Sequence, residues 1–375
     1  MKLHGIIWTI LILVVTSCSE SNLQYVDPTI GGVGLILQPT RPTVHLPNSM
    51  LRTYPVKSDQ LDDRIHHFTM NMTSHRVGFA FHFLPVRGDE GLWSQSFNIE
   101  KEECTPSLYR AESEIDSDIV EVTPSERSAM FRVQFNGNGT SFLRIGTESR
   151  TGKINVDGNI ISGEDIFHGV KAYLYAECSY SPSEIIYNPE RNAVLIKTDS
   201  SNALVRYSIS FISIDQARMN LNKEMPDWDF DNYVKAAMKT WEKSLGRINV
   251  SGGTESQKRV FYTAFYRCLE RMVNINEYGQ YYSAFDNKVH VSDKPFYVDN
   301  WLWDLYLAHQ PLYMILSPDM VAEEIDSYIA MYEQGGWMPS FAVSFGDWPA
   351  MTGNNAAIWM ADAWSKGIRL SLIHI

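Results

Sequence analysis

The hydrophobic period changes once along this chain, near residue 225, and that change restricts the fold more than any other feature. Alternation at period two places every second side chain on one face of a strand, whereas recurrence near 3.6 builds one face of a helix. From residue 25 to about 214 the pattern is short and strand-like: "HRVGFAFHFLPV" (75–86), "AMFRVQFNGNGTSFLRIGT" (129–147), "KINVDGNIISG" (153–163) and "NALVRYSISFISI" (202–214). These stretches are rich in β-branched and aromatic residues and are broken by Gly, Asn and Asp. "NGNG" (136–139) and "DGN" (157–159) read as hairpin turns. Many short strands without intervening helices predict an antiparallel β-sandwich over residues 25–220.

After "NKEMPDW" the helical period takes over. Phe230, Val234, Ala237, Trp241 and Leu245 share one face, and Gly246 follows them. Thr254 and Gln257 form a capping-box pattern ahead of Val260, Phe261, Ala264, Phe265, Cys268 and Leu269. A loop over 274–300 precedes a helix in "WLWDLYLAHQPLY" (301–313). Ser317 and Pro318 open a helix to about Glu333, and a last one covers 355–366. Residues 221–369 therefore read as an all-α bundle or toroid, and the chain as multidomain, all-β then all-α. Within "WLWDLYLAHQPLY" Asp304 stands on what reads as a buried helix. Burying a carboxylate without a partner is costly, so Asp304 is either held by a structural hydrogen bond or faces a cavity that receives something polar. "DMVAEEIDSYIAMYEQ" (319–334) reads as an amphipathic helix whose Glu323, Glu324 and Asp326 form a solvated acidic face without chemistry.

The N-terminus reads as a targeting segment. Lys2 precedes the apolar run "GIIWTILILVVTS" (5–17), which is too short to anchor a mature protein. Val15-Thr16-Ser17-Cys18 resembles a bacterial lipobox, so residues 1–17 are expected to be a signal peptide, Cys18 the lipidated residue, and 18–24 a polar tether. The expected location is an exported lipoprotein of the outer membrane, cell surface or periplasm. Cys104, Cys178 and Cys268 suit neither a disulfide framework nor a C-x-x-C metal site. A net charge of −12 with no basic stripe argues against nucleic acid as a partner. The 10 Trp, 19 Tyr and 17 Phe supply flat apolar faces that suit sugars as well as cores.

An ordered series of motifs resembles family 92 of the glycoside hydrolases, calcium-dependent exo-α-mannosidases. It runs through "VDPTIGG" (26–32), Arg247-Ile248 with Val250, "FYTAFYR" (261–267) and "YYSAFDNKVH" (281–290). It continues in Trp303-Asp304 with Tyr306, Ala308, Pro311 and Leu312, then "GGWMP" (335–339), "MTGNNA" (351–356) and "DAWSKGI" (362–368). The resemblance implies an N-terminal sandwich packed on an (α/α)6 barrel, of which only the first part is present. It also implies a calcium ion, a mannose-containing glycan as partner, and hydrolysis of terminal mannose by inversion, of the α-1,2 type. Trp303 and Asp304 match a pair that holds the terminal mannose in the family: a carboxylate for hydroxyls and an apolar wall for a ring face.

Some positions depart from the family pattern. Leu305 and Leu307 stand where W-D-T-Y-R has Thr and Arg, Asn355 where G-N-H-A has His, and "GGVGLILQPTRPTVHLPNSM" (31–50) lacks the usual T-G-G-H-G-H character. An inverting glycosidase needs an acid and a base roughly 6.5–9.5 Å apart. The family's N-E-P-type and G-N-D-D-x-G-type motifs for these do not occur, so no catalytic residue or calcium ligand is assigned and the chain alone is expected to be inactive. "LSLIHI" (370–375) is what a transposon end used in preparing sequencing libraries encodes, and is expected to be foreign to a longer protein. Two alternatives stand beside the mannosidase reading. One is a non-catalytic glycan-binding surface lipoprotein of the same fold, the other a different (α/α)6 carbohydrate enzyme.

Overall fold

A computed structural model describes residues 21–33, 40–59, 61–71, 74, 78–348 and 350–368. The apolar leader, Cys18 and "LSLIHI" lie outside these residues.

Two antiparallel sheets form the N-terminal half. The larger runs Lys153–Asp157, Ile160–Phe167, Val170–Cys178, Asn202–Ser210, Ser128–Gln134, Ile119–Pro124, Leu108–Ser113, Phe97–Thr105 and Arg64–Ile65. The smaller runs Ile185–Asn188, Ala193–Thr198, Ser141–Thr147, Phe81–Arg87, His67–Thr69 and Pro55–Val56. Their inner faces meet where Phe83 of one stacks on Phe131 of the other, ring centres 4.1 Å apart, with Phe68 and Tyr207 alongside. Each such ring, fully buried, contributes about 1.5–3 kcal/mol. Period-two alternation explains how one strand serves two cores: Phe131 points into the sandwich, and its neighbour Met130 points to the other face.

The helices are α1 Ile214–Glu224, α2 Phe230–Leu245, α3 Glu255–Cys268, α4 Leu302–Leu305, α5 His309–Leu316, α6 Pro318–Gly335 and α7 Asn355–Ser365. The predicted capping box of α3 is formed, with Thr254 accepting from the Gln257 amide and Gln257 from the Thr254 amide. Pro318 opens α6, and the left-handed Gly336 closes it at φ 85°.

Five expectations are corrected. The "NGNG" segment is not a hairpin: Ser128–Gln134 and Ser141–Thr147 lie in different sheets. Asp118 accepts from the Asn136 and Gly137 amides while Arg87 donates to the Gly137 carbonyl, so this turn carries the chain across the sandwich edge. "DGN" does close a hairpin, between Asp157 and Ile160.

Helix α1 was not anticipated, and residue 220 falls inside it. Ser213 caps it, and Ala217 and Leu221 cover Met130 and Tyr175 on the outer face of the larger sheet. The segment 274–300 is not plain loop but includes a hairpin of Gln280–Ser283 with Lys288–Val291. The "WLWDLYLAHQPLY" helix is broken into α4 and α5, and Asp304 is exposed rather than buried. Finally, Glu324 is fully buried, not part of a solvated face, because Gln310 of α5 reaches across to its carboxyl at 3.1 Å.

Sandwich and helices meet along a seam rich in polar contacts. The indole N–H of Trp241 donates to the His45 carbonyl at 2.7 Å, and Asn48 Nδ2 to the Met272 carbonyl at 2.8 Å. Arg127 donates to the Asn276 carbonyl, and Arg52 forms an ion pair of 2.7 Å with Asp299.

Candidate carbohydrate site

Strand Asn300–Trp301 leads straight into α4 and pairs with Phe341–Val343, which pairs in turn with Gly346–Asp347. This small sheet fixes the phase of a helix too short to hold itself. Leu302 is fully buried, and at about 100° per residue the next two side chains turn outward. Trp303 is 45% exposed and Asp304 is exposed beside it.

The carboxylates of this region differ in what they already hold. Asp299, with no exposure and a left-handed φ of 64°, accepts from Arg52 at 2.7 Å and from the Ser74 hydroxyl at 2.5 Å. Asp347 Oδ1 accepts from the Ser340 and Phe341 amides at 2.9 and 2.8 Å. Glu270 lies 3.7 Å from Arg267. Burial pushes its carboxyl upward, but the charges of Arg267, His45, Arg271 and Arg52 more than offset this and hold it at about 2. Asp304 has no hydrogen bond or ion pair among the described residues. Asp304 therefore needs no structural partner: water reaches its charge, and both its oxygens are open to hydroxyl donors.

Aromatic rings extend the surface from α4 to the sandwich. Trp301 packs on Phe341 and Trp348 with ring centres 5.2 and 6.0 Å apart. Trp348 meets Phe345 at 5.7 Å, and Phe345 stacks on His168 at 4.4 Å. His168 sits in the turn between Ile160–Phe167 and Val170–Cys178, so a sandwich residue braces the hairpin that carries Trp348. Sequence reading missed His168, whose one local sign is the Gly169 that follows it in the turn.

On another side of α4 a cavity of about 510 Å³ is lined by Ile30, Thr40, Val260, Arg267, Leu305 and His309. Arg267 ties its wall to the N-terminal segment by donating to the Pro28 and Arg41 carbonyls at 2.6 and 2.9 Å. His309 donates from Nε2 to the Cys268 carbonyl at 2.7 Å, and burial lowers its imidazole to about 4, leaving it neutral. The lining of this cavity includes the charged Arg267, Glu270 and Arg271 and neither Trp303 nor Asp304, so the open carboxylate and the exposed indole form a surface beside it rather than part of its wall.

Among the described residues no group of three or more His, Cys, Asp or Glu side chains is placed to hold a metal ion. Cys104, Cys178 and Cys268 are free thiols, and burial raises all three.

Comparison with known proteins agrees with this architecture. The glycosyl hydrolase family 92 N-terminal domain matches residues 25–216, and the family 92 catalytic domain matches 216–374. A family 92 inverting mannosidase of Bacteroides thetaiotaomicron superposes with a TM-score of 0.87 at 25% identity, over 94% of this chain and 54% of that one. A family 92 alpha-mannosidase of the same organism, solved with mannoimidazole, superposes at 0.83 and 19% identity, over 93% of this chain and 54% of that one. An uncharacterized secreted glycosidase of Arthroderma benhamiae is 28% identical over 180 residues, which is 45% of this chain and 19% of that protein. The chain thus spans about half the length of the solved structures it matches.

Proposed function

The chain belongs to glycosyl hydrolase family 92, and on that premise we propose that it forms the sugar-recognising part of an exo-acting, inverting α-mannosidase. The proposed substrate is a glycan ending in α-1,2-linked mannose, and the protein is proposed to be an exported lipoprotein anchored through Cys18. Trp303 and Asp304 are the proposed sugar-binding pair, on the first part of an (α/α)6 barrel. One observation carries this assignment: Asp304 is exposed and unbonded next to an exposed indole, whereas Asp299, Asp347 and Glu270 nearby are each committed.

Recognition and cleavage are proposed to separate. Inversion needs a protonated acid on one side of the glycosidic bond and a base for water on the other. The committed carboxylates cannot act as either without breaking contacts that hold the seam and the Phe341 strand in place. The described residues therefore supply binding rather than hydrolysis, and no step is assigned to calcium. Incubating the purified chain with α-1,2-mannobiose, with and without calcium, tests this. Binding by calorimetry without release of mannose is the expected result; sustained mannose release overturns the separation, and absence of binding overturns the assignment of the pair.

A further inference from the structure

The outer face of the smaller sheet carries a second cavity, whose lining shares no residue with the one beside α4. Antiparallel register places His67, His82, Arg144 and Gly146 on that face, since His82 lies opposite Gly146 and Leu84 opposite Arg144. A strand face so exposed would ordinarily be wet. Here the segment around Trp93 and the turn after Thr147 enclose a cavity of about 310 Å³, lined by His67, His82, Trp93, Arg144, Arg150 and Arg191. Glycine at 146 makes room for this arrangement, because a Cβ there would stand 2.6 Å from the His82 ring.

Charge is unbalanced in this cavity. Four arginines are buried among the described residues: Arg52, Arg127, Arg144 and Arg206. Three have carboxylate partners, in Asp299, Glu224 and Glu177 respectively. Arg144 differs in bonding to carbonyls without any carboxylate, those of Leu92 at 2.8 Å and of His66 and Gln95 at 3.1 Å each. These carbonyls take up three of its five N–H groups and leave its charge whole, which is expensive to bury. Burial and neighbouring Arg191 lower the Arg144 guanidinium to about 10, so it stays cationic at neutral pH. Burial also keeps the two imidazoles neutral, His67 at about 3 and His82 at about 4, and each has a buried ring nitrogen with no partner among the described residues. Glu148 and Glu190 lie exposed at the rim. Glu148 is raised by burial and by Asp165, the opposite of what an arginine partner would do.

We propose that this cavity binds an oxyanion, the phosphate, sulfate or carboxylate group of an acidic sugar, between Arg144, Arg150 and Arg191. Guanidinium groups match such anions in geometry as well as charge. Trp93 at the wall, held by Arg191 donating to its carbonyl at 3.0 Å, offers a ring face for the sugar that bears the anion. The site is separate from the α4 surface and does not depend on the mannosidase reading. It would let the protein hold a glycan by an acidic substituent while a neutral end is presented elsewhere.

Titration calorimetry with mannose 6-phosphate, inorganic phosphate and mannose tests the proposal on the whole chain. The Asp304→Asn protein is used in parallel, so that binding at α4 is counted separately. Both charged probes are expected to bind in both proteins, and about tenfold more weakly in the Arg150→Gln/Arg191→Gln double variant. Arg144→Gln would also remove hydrogen bonds that hold the Leu92, His66 and Gln95 carbonyls, which is why the rim arginines carry the test. A preference for mannose 6-phosphate that Trp93→Ala abolishes supports a sugar-borne anion. Equal binding of the two charged probes supports the anion site with a free ion as its occupant. Failure of both to bind at millimolar concentration, or undiminished binding by the double variant, overturns the proposal.

Discussion

The sandwich and the helical part both bury large rings, and they differ in what they leave exposed. Phe68, Phe81, Phe83, Tyr109 and Tyr207 are among the largest fully buried side chains, and they lie between two sheets that cover each other. In the helical part Trp303, Leu307, Ile315, Trp337, Ile358 and Trp364 are exposed, on or next to α4 through α7. The two halves nevertheless share a continuous core across the seam, running from Phe131 to Trp359. Both halves are therefore held by buried rings, Trp241, Tyr266, Tyr313 and Trp359 among them in the helical part, and among the described residues it is the helical part that also turns indoles outward where a ligand can meet them.

The largest effect that separates the halves is expected at the seam. Asp299→Ala leaves Arg52 buried without a counter-charge and should cost roughly 3–5 kcal/mol in urea titration. The double variant Arg52→Met/Asp299→Leu should recover most of that. A loss below about 1 kcal/mol would show that water, not the ion pair, fills the seam.

Within the sandwich, Phe131→Ala should cost about 3–5 kcal/mol, because three rings pack against it and cannot collapse into the space. Ile315→Ala on α5, at a residue 78% exposed, should stay within about 0.5 kcal/mol. Equal costs would break the comparison and mean that the α5 face is covered in solution.

Glu324 gives the helices a pH dependence of their own. Burial above all, with Glu323 adding to it against the hydrogen bond from Gln310, raises its carboxyl from 4.5 to about 8. A folded value above the unfolded one means that its contribution is complete below pH 4.5 and is lost as pH rises through about 8. Tryptophan fluorescence melts should show helical stability falling over that window by up to roughly 1.4 kcal/mol per pH unit. Glu324→Gln should flatten the fall; an unchanged slope would place the titrating group elsewhere.

How far these features could be read in the sequence depended on whether their cause was local. The Asp157 hairpin was legible because a two-residue turn is determined by its own residues. The same kind of turn chemistry at Asn136 misled, since Asp118 and Arg87, distant in sequence, decide where that chain goes. Helix α1 was hidden because two of its inward positions are polar. Gln216 and Asn220 bond each other at 2.9 Å, and Asn220 reaches the buried Glu277 carboxyl at 2.8 Å, so the apolar stripe is thin. Glu324 looked solvated because Gln310 lies on another helix. For α4, the motif was visible as Trp303 and Asp304, but its exposure follows from the sheet of Asn300–Trp301 with Phe341–Val343, which no local pattern shows.

Asp304 is proposed to meet the sugar while the buried residues around it hold the structure. Titration calorimetry of methyl α-mannoside, paired with thermal melts, tests it with the native chain and Asp304→Asn. The variant should bind at least about tenfold more weakly, as expected for loss of a charged hydrogen-bond acceptor, with an unchanged melting temperature. Undiminished affinity, or a lower melting temperature with the affinity of the folded protein intact, would contradict it.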